Sequence, residues 1–230
     1  MSDFQIKAVI PARGGSKRLP RKNLVEVCGH PLIAHTIMQA RASEHLSGVY
    51  VSTDDDEIAA VSERYGAEVI VRPPELAKDM SSSEDAMLHA AGWVRDRGFG
   101  DVDAYMMLQC TSPIRTEGDI DAAICQFREE EADSLLSVCR AKHFLWRAGG
   151  SSAQPINYDF RARPRSQDII PQFQENGSFY ITKSDLLSTQ KCRLGGKVVM
   201  YEMDFWAAFE IDDDDDLKLI QWILEQRSVG

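Results

Sequence analysis

The sequence predicts an α/β fold, a Rossmann-like and mainly parallel sheet covered by helices on both faces. Three observations lead there. Short β-branched runs alternate with helical runs from the start of the chain, the order that builds strand-helix-strand crossovers. The 230 residues carry 43% hydrophobic content, enough for one sizeable core and one domain over 1–230. The first apolar run passes directly into a glycine-containing basic loop, and the carboxyl end of a strand is where open α/β sheets take their ligands.

The strands expected are Ile6 to Ile10, Val49 to Ser52, Glu68 to Val71, Ala104 to Leu108 and Ser134 to Val138. Helices fit between them. Pro31 suits a first helical position before "LIAHTIMQARAS", and Gly66 suits the residue just beyond the helix "DDDEIAAVSERYG". Ser81 to Glu84 and Thr116 to Asp119 have the spacing of capping boxes. From about 140 to 175 the alternation fails and aromatics, arginines and prolines mix without a period, which predicts an inserted arm. Rich in Phe, Trp and Tyr, it would make a poor solvent face: the arm either folds back on its own domain or, as its aromatic and Arg content favours, forms a dimer contact. Beyond it, "GSFYITK" and "KVVMYEM" read as strands, and Leu217 to Gln226 as an amphipathic helix with Leu217, Ile220, Ile223 and Leu224 on one face.

Composition removes several function classes. A formal net charge of −10 would repel a phosphate backbone, so nucleic acid is not an expected partner. There is neither an apolar run long enough to span a bilayer nor a basic, then apolar, leader at the start, so no membrane partner is expected and the cytoplasm is the expected compartment. The five cysteines are scattered without a C-x-x-C pair, as buried thiols of a reducing compartment would be, and the five histidines form no zinc motif.

Against that acidity, the stretch "AVIPARGGSKRLPRKN" (8–23) places Arg13, Lys17, Arg18, Arg21 and Lys22 in one loop. Gly14 and Gly15 would let the backbone turn and approach a ligand while the cations neutralise a polyanion such as a nucleoside triphosphate. The bland alternative is a solvated loop paired with surface acids. The loop fits neither G-x-x-x-x-G-K-[ST] nor G-x-G-x-x-G, which removes the P-loop and dinucleotide-binding signatures.

What "ARGGSKRLPRKN" does resemble is the signature of the acylneuraminate cytidylyltransferases, the CMP-sialic acid synthetase family. Further matches follow in order: "VSTDDDEIA" (51–59), "RPPELAKDMSSS" (72–83), "LQCTSPIRT" (108–116), "PQFQENGSFYI" (171–181) and "FEIDDDDDL" (209–217). The resemblance implies a nucleotidyltransferase fold of the GT-A-like kind, with CTP and an acidic nine-carbon sugar as substrates, Mg²⁺ as cofactor and a homodimer as the assembly. The implied reaction is attack of the sugar's anomeric hydroxyl on the α-phosphate of CTP, giving CMP-sugar and pyrophosphate.

Carried over by motif, Lys22, Arg13 and Asp212 serve the chemical step, with Lys22 at the α-phosphate. Arg13, Gly14, Lys17, Lys22 and Asn23 meet the nucleotide, and Arg72 and Ser83 lie around the cytidine. Gln109, Thr111, Asn176 and Tyr180 are implied sugar contacts, and Arg147 or Arg165 of the arm would reach the sugar carboxylate, across a dimer if need be. Glu210 and Asp212 are the metal candidates, since hard oxygen donors at alternating positions of a short strand would share one face while Ile211 turns to the core. Relatives commonly have Asp where Glu210 stands.

Simpler roles compete for several of these residues. Arg72 could be a surface charge, Asp54 the N-cap of the next helix, Tyr180 core, and Asn176 only a turn residue. Asp213 to Asp216 suit a helix start, with Asp213 as N-cap. Arg193 and Leu194 stand where sialic acid users tend to carry paired aromatics, so a sugar other than N-acetylneuraminate is the expected preference unless Arg193 turns to solvent. The rival functions are a related transferase acting on KDO or a sugar 1-phosphate, and a non-catalytic nucleotide-binding protein.

Overall fold

Along the first strand, Ile6, Ala8 and Ile10 are fully buried towards one side of the sheet and Val9 towards the other, and that alternation sets the two helical layers. A fully buried Ile or Val contributes about 1.5–3 kcal/mol relative to exposure, so neither face of this strand can be left open. The computed structural model describes residues 4–100, 102–150, 152–165, 168 and 170–228.

In chain order the elements are β1 (Ile6–Pro11), a short hairpin of β2 (Glu26–Val27) and β3 (His30–Pro31), α1 (Leu32–Ala42), β4 (Leu46–Thr53), α2 (Asp56–Arg64), β5 (Glu68–Val71) and α3 (Ser83–Asp96). These are followed by β6 (Ala104–Leu108), α4 (Asp119–Glu129), β7 (Ser134–Ala141), β8 (Trp146–Gly149), β9 (Ser152–Pro155), β10 (Gln172–Lys183), α5 (Ser184–Gln190), β11 (Val198–Met203) and α6 (Asp214–Ser228). Seven strands make one sheet in the order β11-β7-β10-β6-β1-β4-β5, parallel throughout except for β10. Ile33 and Ile37 of α1, Ile58 of α2, Ile124 and Phe127 of α4 and Ile220 and Ile223 of α6 pack on one face. Met87, Ala90 and Val94 of α3 and Leu187 of α5 pack on the other.

The connection from β1 goes to β4 on one side, and the chain later returns to β6 on the other. This reversal opens a crevice beyond the carboxyl ends of β1 and β6, the topological switch point at which such sheets bind ligands. Antiparallel β10 enters from the same end and pairs Tyr180 with Met107 and Leu136.

Six of the main-sheet strands include the expected runs and β11 holds all of its run but Lys197, and several local expectations need correction. Pro31 is the residue before α1 rather than its first. The capping box is one residue later than Ser81 to Glu84: Ser82 Oγ accepts from Asp85 N–H while Asp85 accepts from Ser82 N–H, both at 3.1 Å. At α4 only half a box forms, with Thr116 N–H donating to Asp119 and Gly118, at φ +87°, as the N-cap. Residues 209–211 form no strand, although Ile211 is buried as expected. Asp213 does cap α6, accepting from Asp215 and Asp216 N–H, and the helix begins at Asp214, before the expected Leu217. Of the five cysteines, Cys28 and Cys192 are exposed, and all five are free thiols.

The arm is narrower than 140–175, because β7 runs on to Ala141 and pairs it with Gln172 at the start of β10. Between them β8 and β9 make a separate two-stranded hairpin. Trp146 on it, and Leu145, Ile156 and Phe160 beside it, are each about half exposed, at 48%, 47%, 50% and 51%.

Candidate active site

The loop after β1 meets the carboxyl end of β6 around a cleft of about 200 Å³ whose lining includes Arg13, Ser16, Lys22, Ser83, Gln109 and Thr111. A second cleft of about 370 Å³ adjoins it, sharing Arg13, Ser16 and Lys22 and adding Lys17, Arg18, Asp79 and Asp212. The first thus joins loop, α3 and β6, and the second is a cationic trough with one carboxylate from each of two other segments.

Backbone contacts shape the loop. Asn23 Nδ2 donates to Arg13 O at 3.0 Å, and Gly14 N–H donates to Asp54 Oδ1 at 3.1 Å. Neither Gly14 nor Gly15 uses a positive φ; Gly14 is required because a Cβ there would lie 2.6 Å from Asp55 Oδ2 and 2.9 Å from Asp55 Cβ. Asp55, not Asp54, is the N-cap of α2, accepting from Glu57 and Ile58 N–H at 2.9 Å. The reading of Asp54 as a helix cap is therefore corrected: its carboxylate grips the loop.

All five loop cations are paired. Lys22 is the least exposed, its Nζ donating to Ile211 O and Asp212 Oδ1, each at 3.0 Å, and Arg18 reaches the other oxygen of Asp212 at 3.0 Å. Arg13 donates to Lys78 O at 3.1 Å and Asp79 Oδ1 at 3.3 Å, Lys17 pairs with Asp79 Oδ2, and Arg21 pairs with Glu57.

Glu210 stands beside the same cleft. A Cβ built on Gly177, whose φ is +67°, would lie 3.5 Å from Glu210 Oε2, 3.5 Å from Gln109 Oε1 and 3.6 Å from Ser112 Oγ, so that glycine keeps three polar side chains close together. Desolvation first, and the Asp212 carboxylate second, push the Glu210 pKa up. Mutual repulsion of this kind is what a divalent cation relieves. Among the described residues no group of three or more His, Cys, Asp or Glu could hold a metal. Glu210 and Asp212 are the carboxylates here that could offer hard oxygen donors to a cation.

Other candidates lie away from the clefts. Arg72 is buried, donating through Nε to Ser52 Oγ at 3.1 Å and through a terminal nitrogen to Ser52 O, which corrects the reading of a surface charge. Its pKa is lowered by burial and by Arg13. Asn176 is also buried: Nδ2 donates to Ala207 O at 3.0 Å, and Oδ1 accepts from Ser137 Oγ at 2.7 Å and Ser178 N–H at 3.3 Å. In this arrangement it is a scaffold for the turn at Gly177 rather than a surface a sugar could touch.

Tyr180 is 2% exposed and donates its hydroxyl to Glu175, with the Arg193 guanidinium 4.9 Å above the ring. Arg193 does not turn to solvent: it makes a bidentate pair with Glu84 at 2.6 and 3.2 Å. Arg147 lies in the exposed hairpin, and Arg165 pairs with Asp168 at 2.8 Å; neither lines the clefts of its own chain.

Sequence reasoning missed Asp79 and Arg115. The first was visible as an acid in "ELAKDMSSS" among implied nucleotide contacts. Arg115 is buried and donates to Gln109 O at 2.9 Å and Ser178 O at 2.7 Å, tying the two loops that flank the cleft; burial lowers its pKa to about 10.

Residues 7–144 match the family described as "Cytidylyltransferase". The chain is 38% identical over 227 residues to N-acylneuraminate cytidylyltransferase A of Danio rerio, covering 96% of this chain and 50% of that protein. It is 32% identical over 180 residues to a pseudaminic acid cytidylyltransferase of Campylobacter jejuni, covering 76% of this chain and 77% of the relative. The chain thus spans about half the length of the first of these relatives. A solved CMP:2-keto-3-deoxy-manno-octonic acid synthetase, complexed with CTP, superposes with a TM-score of 0.72 at 20% identity, covering 97% of this chain and 99% of the other. A 4-diphosphocytidyl-2C-methyl-D-erythritol synthase gives 0.72 at 13% identity, covering 96% and 98%. At those identities the structural likeness establishes the fold, and the sequence matches establish the kinship: the chain belongs to the cytidylyltransferase family.

Proposed function

We propose that this chain transfers CMP from CTP to the anomeric hydroxyl of a nonulosonic acid, releasing pyrophosphate. The observation that carries the reading is the placement of Lys22, which lines both clefts with its ammonium held 3.0 Å from Ile211 O and from Asp212. A cation fixed there can meet charge that develops on the α-phosphate without reorganising during the step. Arg13 and Lys17 lie further along the trough, suited to the outer phosphates that depart as pyrophosphate. Ser83, Gln109 and Thr111 offer hydroxyl and amide groups on the wall of the other cleft, suited to a ribose or a polyhydroxylated sugar.

No covalent enzyme intermediate is required, so catalysis rests on positioning the two substrates and neutralising charge. Glu210 and Asp212 are the residues suited to hold Mg²⁺, which when bound supplies Lewis-acid polarisation of phosphate oxygens. With the metal there, Asp212 would no longer need both Lys22 and Arg18 as counter-ions, leaving the two cations for phosphate.

The proposed assembly is a homodimer through the arm, supported by four half-exposed large apolar residues on the hairpin region. It would let Arg147 or Arg165 reach a partner's cleft. Free cysteines and a triphosphate substrate favour the cytoplasm.

The test is pyrophosphate release with Mg²⁺, each of CTP, UTP, GTP and ATP, and a panel of N-acetylneuraminic, legionaminic and pseudaminic acids, KDN and KDO. The reading predicts release with CTP and a nine-carbon acid. Release only with KDO, or only with a sugar 1-phosphate added to the panel, would replace it by the related transferase, and no release with any pair would leave a nucleotide-binding protein.

A further inference from the structure

Asp79 holds two of the five loop cations, and no part of the proposed chemistry uses it. One oxygen accepts from Arg13 at 3.3 Å and the other pairs with Lys17, while the adjacent Lys78 carbonyl accepts a further Arg13 hydrogen bond at 3.1 Å. The carboxylate lines the same trough as Asp212. Its pKa is held low by Lys17 and then Arg13, so it is charged at neutral pH. Four residues further on, Ser83 lines the neighbouring cleft at the start of α3.

We propose that Asp79 is a positioning residue that stands in for the triphosphate: it keeps Arg13 and Lys17 at the mouth of the trough and is displaced by the outer phosphates. This rests on the reading of the trough as a polyphosphate site. A like-charged carboxylate against a bound β,γ-phosphate costs energy, so Asp79 lowers affinity for CTP and for pyrophosphate alike, which eases product departure. Exposed ion pairs are individually weak, so replacing two of them by an unopposed phosphate contact should change affinity by about three- to tenfold.

The experiment is titration calorimetry of CTP and, separately, inorganic pyrophosphate into wild-type protein and Asp79→Asn, in EDTA, with Asp96→Asn as a control for a distant surface acid. The amide keeps the size and some of the hydrogen bonding of the carboxylate while removing its charge. Both ligands should bind Asp79→Asn about three- to tenfold more tightly and Asp96→Asn as they bind wild type. The steady-state counterpart is a lower KM for CTP and a lower Ki for pyrophosphate in the same proportion.

Unchanged or weaker binding of pyrophosphate to Asp79→Asn would overturn the proposal, as a merely structural turn residue or a metal ligand would give. Tighter pyrophosphate binding with no CTP binding to either protein would keep it while removing the cytidine reading.

Discussion

Gly14 is kept small by a neighbour, not by its own backbone, since Asp55 occupies the space a Cβ would need. The motif announced a tight loop, but only the fold shows which of three consecutive acids caps α2 and which holds the loop. Asn176 makes the same point from the other side. Its place before a glycine suggested a turn or a sugar contact, whereas its position among Ser137, Ser178 and Ala207 shows an amide engaged on both ends. Glu210 carries the residue-scale prediction. Its raised pKa means that the folded state binds that proton more tightly than the unfolded state, so stability falls as pH rises through the raised value and stays lower above it. Glu210→Gln should therefore raise Tm at pH 8 without metal, with a smaller gain at pH 4, while lowering Mg²⁺-dependent turnover. Thermal melts showing a lower Tm at pH 8 would contradict the assignment.

At the scale of elements, α3 and the segment after α5 meet through Glu84 and Arg193, and this joins the start of α3 to the buried Tyr180 ring. Arg193→Ala should shift the kcat/KM ratio between N-acetylneuraminate and the other nonulosonic acids by about tenfold, or roughly 1.4 kcal/mol, with KM for CTP little changed. Competition assays in the wild type should not rank N-acetylneuraminate first. The hairpin of β8 and β9 gives the second prediction: replacing residues 146–155 by a short polar linker should leave a monomer by light scattering, with activity reduced at least tenfold. A fully active monomer would refute the dimer.

How readily these elements could be read from sequence follows from their physics. β6, and β1 apart from its buried Lys7, stood out because strands buried on both faces are nearly continuous apolar runs, whereas edge strand β5, with Val71 74% exposed, was legible from its β-branched residues. The arm resisted because exposed hairpin strands carry no such run, and the stretch at Glu210 misled because alternating burial without a pairing partner does not make a strand.

For the whole molecule, the reversal of strand order beside β1 brings one basic loop and carboxylates from two distant segments around a single trough. The cations were legible from charge alone. Their partners were not, because Asp79 and Asp212 lie 62 and 190 positions beyond Lys17 and Lys22 and meet them only through the sheet. The proposed function puts nucleotidyl transfer in this trough, with Lys22 at the reacting phosphate. Its most direct test is single-turnover pyrophosphate release from CTP with Mg²⁺ and the preferred nonulosonic acid, comparing wild type with Lys22→Ala alongside CTP binding. The prediction is a rate lowered by a hundredfold or more, about 2.7 kcal/mol, with CTP affinity changed much less. Near-normal turnover in Lys22→Ala, or a loss explained wholly by weaker CTP binding, would contradict it.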